Sequence, residues 1–185
     1  MIKLSFEVDE NGKIINNKNR GMSLEQEINE TNDYYRLNDI AVINKKATPI
    51  TVVKCVDNKI TEAYFSEKST TDYNGVYNGL YIDFEAKSTT SKTSFPLANI
   101  LPNQIEQARK VLTQKGVSFF LIEFSRLEKY FVLPSKQLLN YIDTVDTSSI
   151  PLSFFESNAF VLYRLLTPPL DYIKIVRNHL SDFLL

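Results

Sequence analysis

The chain has 185 residues, a formal net charge of −1 and 43% hydrophobic residues. This length predicts one domain that can bury a core without disulfides or structural metals. A single cysteine, Cys55, excludes an internal disulfide, and with only one histidine, His179, almost no ligands are left for classical zinc sites or for Ser-His-Asp catalysis. Hydrolytic chemistry would have to use carboxylates, amides, hydroxyls and lysines.

The start of the chain is predicted to be a flexible lead-in over residues 1–21, followed by one domain over residues 22–185. Acidic residues at Glu7, Asp9 and Glu10 interrupt the N-terminal apolar residues, which argues against a signal peptide. No stretch approaches transmembrane length. The lone cysteine is consistent with a reducing cytosol, so we expect a cytoplasmic protein without a membrane partner.

The near-neutral charge argues against nucleic-acid binding unless the charges are segregated. Some segregation is visible, because acidic residues cluster over residues 25–33 and basic ones on either side. The basic residues are Lys13, Lys18 and Arg20 at the start, and Lys45, Lys46, Lys54 and Lys59 in the middle. Segregation of this kind is what a phosphate-contacting surface requires in a chain of nearly neutral charge.

The predicted elements begin with a capping box, Ser23-x-x-Gln26, which opens a helix ending near Leu37. The later strands, hairpin and helices are predicted at 40–43, 51–65, 80–87, 103–115, 117–122, 130–133, 135–142 and 170–184. The strand at 117–122 is nearly all apolar, as is typical of a strand covered on both faces. Residues 150–170 show no clear period. This order predicts a mixed α/β domain with a central β-sheet flanked by helices.

The segment 69–87 gathers ionisable residues and turn glycines. Its second half alternates, so a strand there would place Ile82, Phe84 and Ala86 on one face. The other face would carry Tyr81, Asp83, Glu85 and Lys87. Two turn signals, Asn74-Gly75 and Asn78-Gly79, predict that the chain folds back and brings Asp72 close to Glu85.

This pattern suits metal-dependent phosphodiester hydrolysis. Two adjacent carboxylates repel each other, and Mg²⁺ is typically held by one or two carboxylates. An ammonium at Lys87 could stabilise charge on the transition state. The loop at 88–94, with Lys92 and several hydroxyls, suits phosphate contact or plain solvation. The spacing alone favours a simpler interpretation, in which the ionisable face is the solvated side of an edge strand.

A series of short motifs follows one order along the chain. They are Asn19-Arg20-Gly21-Met22, Asn29-Glu30-Thr31-Asn32, Lys45-Lys46-x-Thr48-Pro49, Glu62-Ala63-Tyr64-Phe65, Ser69-Thr70-Thr71-Asp72-Tyr73-Asn74-Gly75, Tyr81-Ile82-Asp83-Phe84-Glu85-Ala86-Lys87, Lys92-Thr93-Ser94-Phe95-Pro96-Leu97 and Gln104-Ile105-Glu106. In this order they closely resemble the RecU family of Holliday-junction resolvases. The resemblance covers roughly residues 19–139, with a weaker similarity at 169–172.

The resemblance implies a restriction-endonuclease-like, PD-(D/E)xK-type nuclease. Such a protein is a homodimer that cuts four-way junction DNA symmetrically with Mg²⁺ during recombination and DNA repair, in the bacterial cytoplasm and associated with the nucleoid. The implied metal ligands are Thr70, Asp72, Glu85 and Gln104, with Lys87 as transition-state stabiliser beside the catalytic Asp72 and Glu85. Asp83 is expected to have a supporting or structural role.

The resemblance also implies DNA contacts. The family's stalk, which is expected to enter the junction centre, corresponds to the hairpin within residues 48–65. Expected phosphate contacts are Arg20, Lys45, Lys46, Lys54, Lys59 and Lys92. Two features depart from the family pattern, since the lead-in is short and mixed in charge and the hairpin turn is short.

Two other functions fit the same sequence features. One is a non-catalytic junction-binding protein that modulates a recombinase or a branch-migration motor. The other is a restriction-type endonuclease that cuts linear duplex DNA with the same site. A resolvase would cleave a junction in the presence of Mg²⁺, whereas a non-catalytic junction-binding protein would not. A restriction-type endonuclease would also cleave linear DNA, which a competition assay would reveal.

Overall fold

The computed structural model describes residues 7–8, 14–15, 23–65 and 70–184. Most of the predicted lead-in, including Arg20, therefore lies outside the described residues. The helices are α1 (Leu24–Leu37), α2 (Pro102–Thr113), α3 (Ser135–Thr144), α4 (Leu152–Asn158), α5 (Tyr172–Asn178) and α6 (Leu180–Phe183). The strands are β1 (Glu7–Val8), β2 (Ile14–Ile15), β3 (Val42–Lys45), β4 (Ile50–Val56), β5 (Lys59–Phe65), β6 (Tyr73–Tyr77), β7 (Leu80–Thr89), β8 (Ser94–Pro96), β9 (Val117–Phe124), β10 (Lys129–Pro134), β11 (Ser149–Pro151) and β12 (Phe160–Leu162).

A six-stranded sheet forms the centre of the fold, in the order β12-β10-β9-β7-β6-β3. Strands β7 and β9 are parallel, and α2 lies in the connection between them, as a parallel pair requires. The other neighbours in this sheet are antiparallel. The predicted mixed α/β class is therefore confirmed. Helix α1 precedes the antiparallel strands β3, β6 and β7, and α2 then connects β7 to the parallel strand β9.

Strand β9 separates two apolar cores. Phe119 and Leu121 pack into the core beneath α1, α5 and α6, while Phe120, Ile122 and Phe124 pack on the opposite face with residues of α2, α3 and α4. The prediction that 117–122 is covered on both faces is therefore confirmed, and helices flank the sheet on both sides. Burial on both faces fixes the register of β9 and of its neighbour β7.

Helix α1 begins with the predicted capping box. The Gln26 amide donates to Ser23 Oγ over 3.3 Å, and the Ser23 amide donates to Gln26 Oε1 over 3.0 Å. The buried Tyr35 hydroxyl donates to Asp171 Oδ1 over 2.9 Å, which ties this helix to the start of α5. Helix α1 is therefore capped at its N-terminus and tied near its C-terminus to α5.

The hairpin β4–β5 is a separate two-stranded sheet in which every residue is exposed. Its turn is the pair Asp57-Asn58, with φ values of 48° and 60°. Positive φ at both central residues is typical of the type I′ turn that favours tight hairpins. The predicted stalk hairpin is thus confirmed as an exposed element built outside the two cores.

Two sequence-based expectations were wrong. Asn74-Gly75 is not a turn but lies within β6, and the turn of this hairpin is Asn78-Gly79. The helix predicted at 170–184 is divided into α5 and α6, because His179 has a non-helical φ of −131°. The His179 ring stacks on Phe160 at 4.3 Å, while Phe183 beyond the break is fully buried.

Gly75 leaves room for the close approach of β3. A Cβ atom at this position would lie 2.0 Å from the carbonyl oxygen of Val42. Gly75→Ala is therefore expected to lower the free energy of unfolding by about 3 kcal/mol or more, since backbone atoms must move apart. Gly79→Asn serves as the comparison, because a side chain there meets open space and carries only the backbone strain of a φ of 78°. Urea unfolding of both variants measures the difference, and equal stabilities would contradict this role of Gly75.

Candidate active site

The β6–β7 hairpin brings Asp72 beside Glu85, as predicted. The backbone amide of Asp72 donates to Glu85 Oε2 over 3.1 Å, and the amide of Ala86 donates to Asp72 Oδ2 over 3.3 Å. Each carboxylate is therefore held by a backbone N–H of the other strand segment. The two acidic groups have a fixed relative position before any ligand binds.

Glu85 is a buried carboxylate, with 1% of its surface exposed. Lys87 Nζ lies 2.7 Å from Glu85 Oε1 and is itself partly exposed. Burial raises the pKa of Glu85 to about 7, Lys87 lowers it in part, and the nearby Asp72 charge raises it. Because Asp83 is also fully buried, the alternative of a solvated edge-strand face is wrong.

The raised pKa of Glu85 has a measurable consequence for stability. The pKa of Glu85 is about 7 in the folded chain, whereas the ordinary value of 4.5 applies to the unfolded chain. The folded chain therefore binds this proton more tightly. Without divalent ions, the free energy of unfolding should therefore fall as pH rises from about 4.5 to 7, by on the order of 3 kcal/mol relative to Glu85→Gln. Urea unfolding at a series of pH values measures this, and parallel curves for the two proteins would contradict it.

Lys46 follows β3 and points its ammonium inward. Lys46 Nζ lies 2.8 Å from Asp83 Oδ2, 2.6 Å from Thr71 Oγ1 and 3.1 Å from Thr70 Oγ1. Its side chain is 17% exposed. The predicted ligand Thr70 lies two residues before Asp72, and its hydroxyl accepts a hydrogen bond from Lys46. The ammonium of Lys46 is therefore hydrogen-bonded within the protein, and its side chain also lines the cavity beside Asp72.

Gln104 lies in the first turn of α2, as predicted, and is buried. Its Oε1 accepts a hydrogen bond from the backbone amide of Leu101 over 2.9 Å, so this oxygen caps the helix. One turn later, Gln107 Nε2 donates to Asp83 Oδ2 over 3.4 Å. Sequence reasoning did not single out Gln107, although its spacing of three from Gln104 places both on one helix face.

A cavity of about 610 Å³ opens beside Asp72. Its lining includes the exposed Lys45, whose Nζ lies 2.5 Å from Glu25 Oε1 of α1. Glu123 of β9 also faces this cavity. Glu25 and Glu123 are not predicted as site residues by the sequence pattern, because their approach to the cavity depends on how α1 and β9 pack.

The remaining predicted phosphate contacts lie on more distant elements. Lys54 is opposite Glu62 on the β4–β5 hairpin, and Lys59 begins β5 beside its turn. Lys92 is exposed in the loop after β7. In that loop, Ser91 Oγ accepts hydrogen bonds from the amides of Thr93 and Ser94, so its hydroxyl shapes the loop.

The central sheet brings the candidate residues of two neighbouring strands together. Asp72 lies directly before β6, and Glu85 and Lys87 lie on β7, which is the arrangement that the resemblance to the RecU family implies. No helix in the described part of the chain is long and apolar enough to cross a membrane.

Comparison with known proteins identifies the family. RecU, described as Recombination protein U, matches residues 19–178, and the chain belongs to this family. Relatives named Holliday junction resolvase RecU are 46% identical in Lactobacillus acidophilus and 47% identical in Lactobacillus helveticus, each over 175 residues, 92% of this chain and 83% of the relative. The Streptococcus uberis relative of that name is 47% identical, over 87% of this chain and 83% of its own.

Among solved structures, Hjc of Archaeoglobus fulgidus, a Holliday junction resolvase, matches with a TM-score of 0.41 and 11% identity, over 68% of this chain and 88% of Hjc. The family match confirms the resemblance found in the sequence motifs and extends it toward the C-terminus.

Proposed function

We propose that this protein is a structure-selective endodeoxyribonuclease that resolves Holliday junctions by symmetric, Mg²⁺-dependent hydrolysis of two phosphodiester bonds. The observation that carries the proposal is the direct contact of Asp72, Glu85 and Lys87 within a chain of the RecU family. The names of the relatives support the substrate, since each is called a Holliday junction resolvase. The expected role is in recombination and DNA repair, in the cytoplasm of a bacterium and on its nucleoid.

The donor set suits a hard divalent cation. In the described residues no cluster of three or more His, Cys, Asp or Glu side chains forms a metal site, but Mg²⁺ commonly uses only one or two carboxylates. Glu85 is buried beside Asp72, and burial raises its pKa to about 7 although the neighbouring Lys87 lowers it in part. We assign Asp72 and Glu85 as metal ligands, with oxygens of Thr70 and Gln104 as further ligands. When bound, Mg²⁺ would polarise the phosphodiester and favour ionisation of the attacking water.

Lys87 would act on the reacting phosphate. Its ammonium is held 2.7 Å from Glu85 Oε1 and is partly exposed, so it can contact an oxygen of a phosphate placed beside the carboxylates. Positive charge there stabilises the extra negative charge of the pentavalent transition state. Asp72 and Glu85 are each fixed by a backbone N–H. As metal ligands they would hold the phosphate and the attacking water in the relative positions that the reaction needs.

DNA recognition would be shared among several elements. Lys45 beside the cavity, Lys54 and Lys59 on the hairpin, Lys92 after β7 and Arg20 in the lead-in are proposed to contact phosphates. The β4–β5 hairpin would enter the open centre of the junction as a stalk. A homodimer would place two sites on opposite strands, and a recombinase and a branch-migration motor are proposed as further partners. We propose residues 22–185 as the nuclease domain and residues 1–21 as a flexible lead-in.

Competition between two substrates tests this function. A labelled four-way junction and a linear duplex of the same sequence are mixed with the protein, with and without Mg²⁺. The proposal predicts cleavage of the junction in preference to the duplex, only with Mg²⁺, and none by Glu85→Gln. Equal cleavage of both substrates would indicate a restriction-type nuclease. Tight junction binding without any cleavage would indicate a non-catalytic junction-binding regulator.

A further inference from the structure

We propose that Lys46 and Asp83 are positioning residues: the partly exposed Lys46 ammonium pairs with the buried Asp83 carboxylate, holds the Thr70–Asp72 segment against β7 and so fixes the Asp72 carboxylate. The inference deepens the proposed function and rests on it, because it assigns what these two residues contribute to the same site. It changes the role expected of Lys46 from a phosphate contact to an internal support.

Asp83 is the centre of the network. Its side chain is fully buried, and its oxygens accept hydrogen bonds from the Lys46 ammonium at 2.8 Å and from the Thr71 hydroxyl at 2.6 Å. The Tyr81 hydroxyl at 3.0 Å and the Gln107 amide at 3.4 Å also donate to it. A buried carboxylate is tolerated only when its charge is compensated and its oxygens are hydrogen-bonded, and Asp83 meets both conditions.

Lys46 holds the segment before β6 from two directions. Its backbone amide donates to the carbonyl oxygen of Asp72 over 2.8 Å, while its ammonium contacts the hydroxyls of Thr70 and Thr71. Asp72 lies directly after these threonines, and its own amide donates to Glu85. Loss of the ammonium would therefore release the chain on the N-terminal side of Asp72.

The positive charge of Lys46 is compensated within the protein by the carboxylate of Asp83. Its partner Asp83 is fully buried and 2.8 Å away, so the pair presents little net charge to DNA. The neighbouring Lys45 differs, since it is exposed and its partner Glu25 is also exposed. Two adjacent lysines thus have separate roles, one in positioning and one in DNA contact.

The variants Lys46→Met and Asp83→Asn test the assignment, with Lys110→Met on the exposed face of α2 as a matched control. Displacing a catalytic group by about 1 Å can cost about 100-fold. Lys46→Met is therefore expected to lower the single-turnover rate at saturating junction about 10–100-fold and to leave the Kd for the junction within about twofold, while Lys110→Met matches the wild type. Because Lys46 and Asp83 act as a unit, the cleavage rate of the Lys46→Met, Asp83→Asn double variant should be no lower than that of the slower single variant.

A second readout does not depend on cleavage. Amide hydrogen exchange of Asp72, measured without DNA or metal, should be faster in Lys46→Met than in the wild type, because the clamp no longer holds the segment. If the wild type cleaves no DNA, the proposed function fails while this measurement still decides the positioning role. Thr71→Val, which keeps the ion pair, should show a smaller effect in the same direction and serves as the test if Lys46→Met does not fold.

Two results would overturn the assignment. One is a Lys46→Met variant whose cleavage rate and Asp72 amide hydrogen exchange both equal those of the wild type. If Lys46→Met does not fold, the same result in Thr71→Val would count. The other is weakened junction binding with a normal rate at saturation, which would make Lys46 a phosphate contact.

Discussion

Lys87→Met is expected to lower the rate of junction cleavage at saturating DNA by on the order of 10²–10³-fold, with junction binding retained. Two physical reasons combine. The variant lacks the ammonium that would stabilise charge on the transition state, and Glu85 loses the cation 2.7 Å from its Oε1. Because Lys87 lowers the pKa of Glu85, its removal raises that pKa further above 7 and leaves less carboxylate to hold a metal at neutral pH.

Single-turnover cleavage with excess protein measures this effect, and a gel-shift assay in Ca²⁺ measures binding. Lys110→Met again serves as the control, because its ammonium pairs with Glu106 on an exposed helix face. Raising the pH should recover part of the loss in Lys87→Met, since it ionises Glu85. Wild-type rates in Lys87→Met would exclude Lys87 from the chemistry.

Removal of the β4–β5 hairpin should abolish the preference for junctions. Residues 50–65 can be replaced by a short Gly-Ser linker, because Ile50 and Phe65 are paired and their backbones are adjacent. Every residue of the two strands is exposed, so no core is lost and the Tm should change little. We expect junction cleavage to fall about 100-fold or more, to the level of a linear duplex, because the hairpin offers exposed apolar side chains such as Tyr64 and Phe65 to unstacked bases.

The paired measurement is cleavage of junction and duplex by the same preparation. A Tyr64→Ala, Phe65→Ala double variant of the intact hairpin tests whether these side chains or only the hairpin backbone are needed. If the linker variant still prefers junctions, the hairpin does not determine junction selectivity. The dimer or the cavity beside Asp72 would then determine it.

The core of the candidate site was predictable from sequence because it is built from local signals. The alternation of Tyr81–Lys87 and two turn signals, Asn74-Gly75 and Asn78-Gly79, predicted that Asp72 would lie close to Glu85. The contacts confirm this, although only Asn78-Gly79 forms the turn. A strand has a period of two and a tight turn fixes its register, so both signals act within about fifteen residues.

Other parts of the site depend on packing between distant segments. Gly75 has the dipeptide signature of a turn, yet it is required by the approach of Val42 from β3. Lys46 looks like a surface lysine until Asp83, 37 positions away, is placed beside it. Likewise, the pattern in residues 150–170 was obscure because β11, α4 and β12 are short elements stabilised by the second core and the sheet edge.

Strand-specific mapping of junction products tests whether the site at Asp72 and Glu85 resolves four-way junctions. A four-way junction is labelled on each of its four strands in turn and incubated with the wild type or with Glu85→Gln and Mg²⁺. We expect the wild type to nick one opposed pair of strands at symmetric positions and to release two ligatable duplexes, while Glu85→Gln binds the junction and leaves all strands intact. Four intact strands in a bound wild-type complex, or equal cleavage by Glu85→Gln, would contradict the assignment of this site as a junction-resolving nuclease.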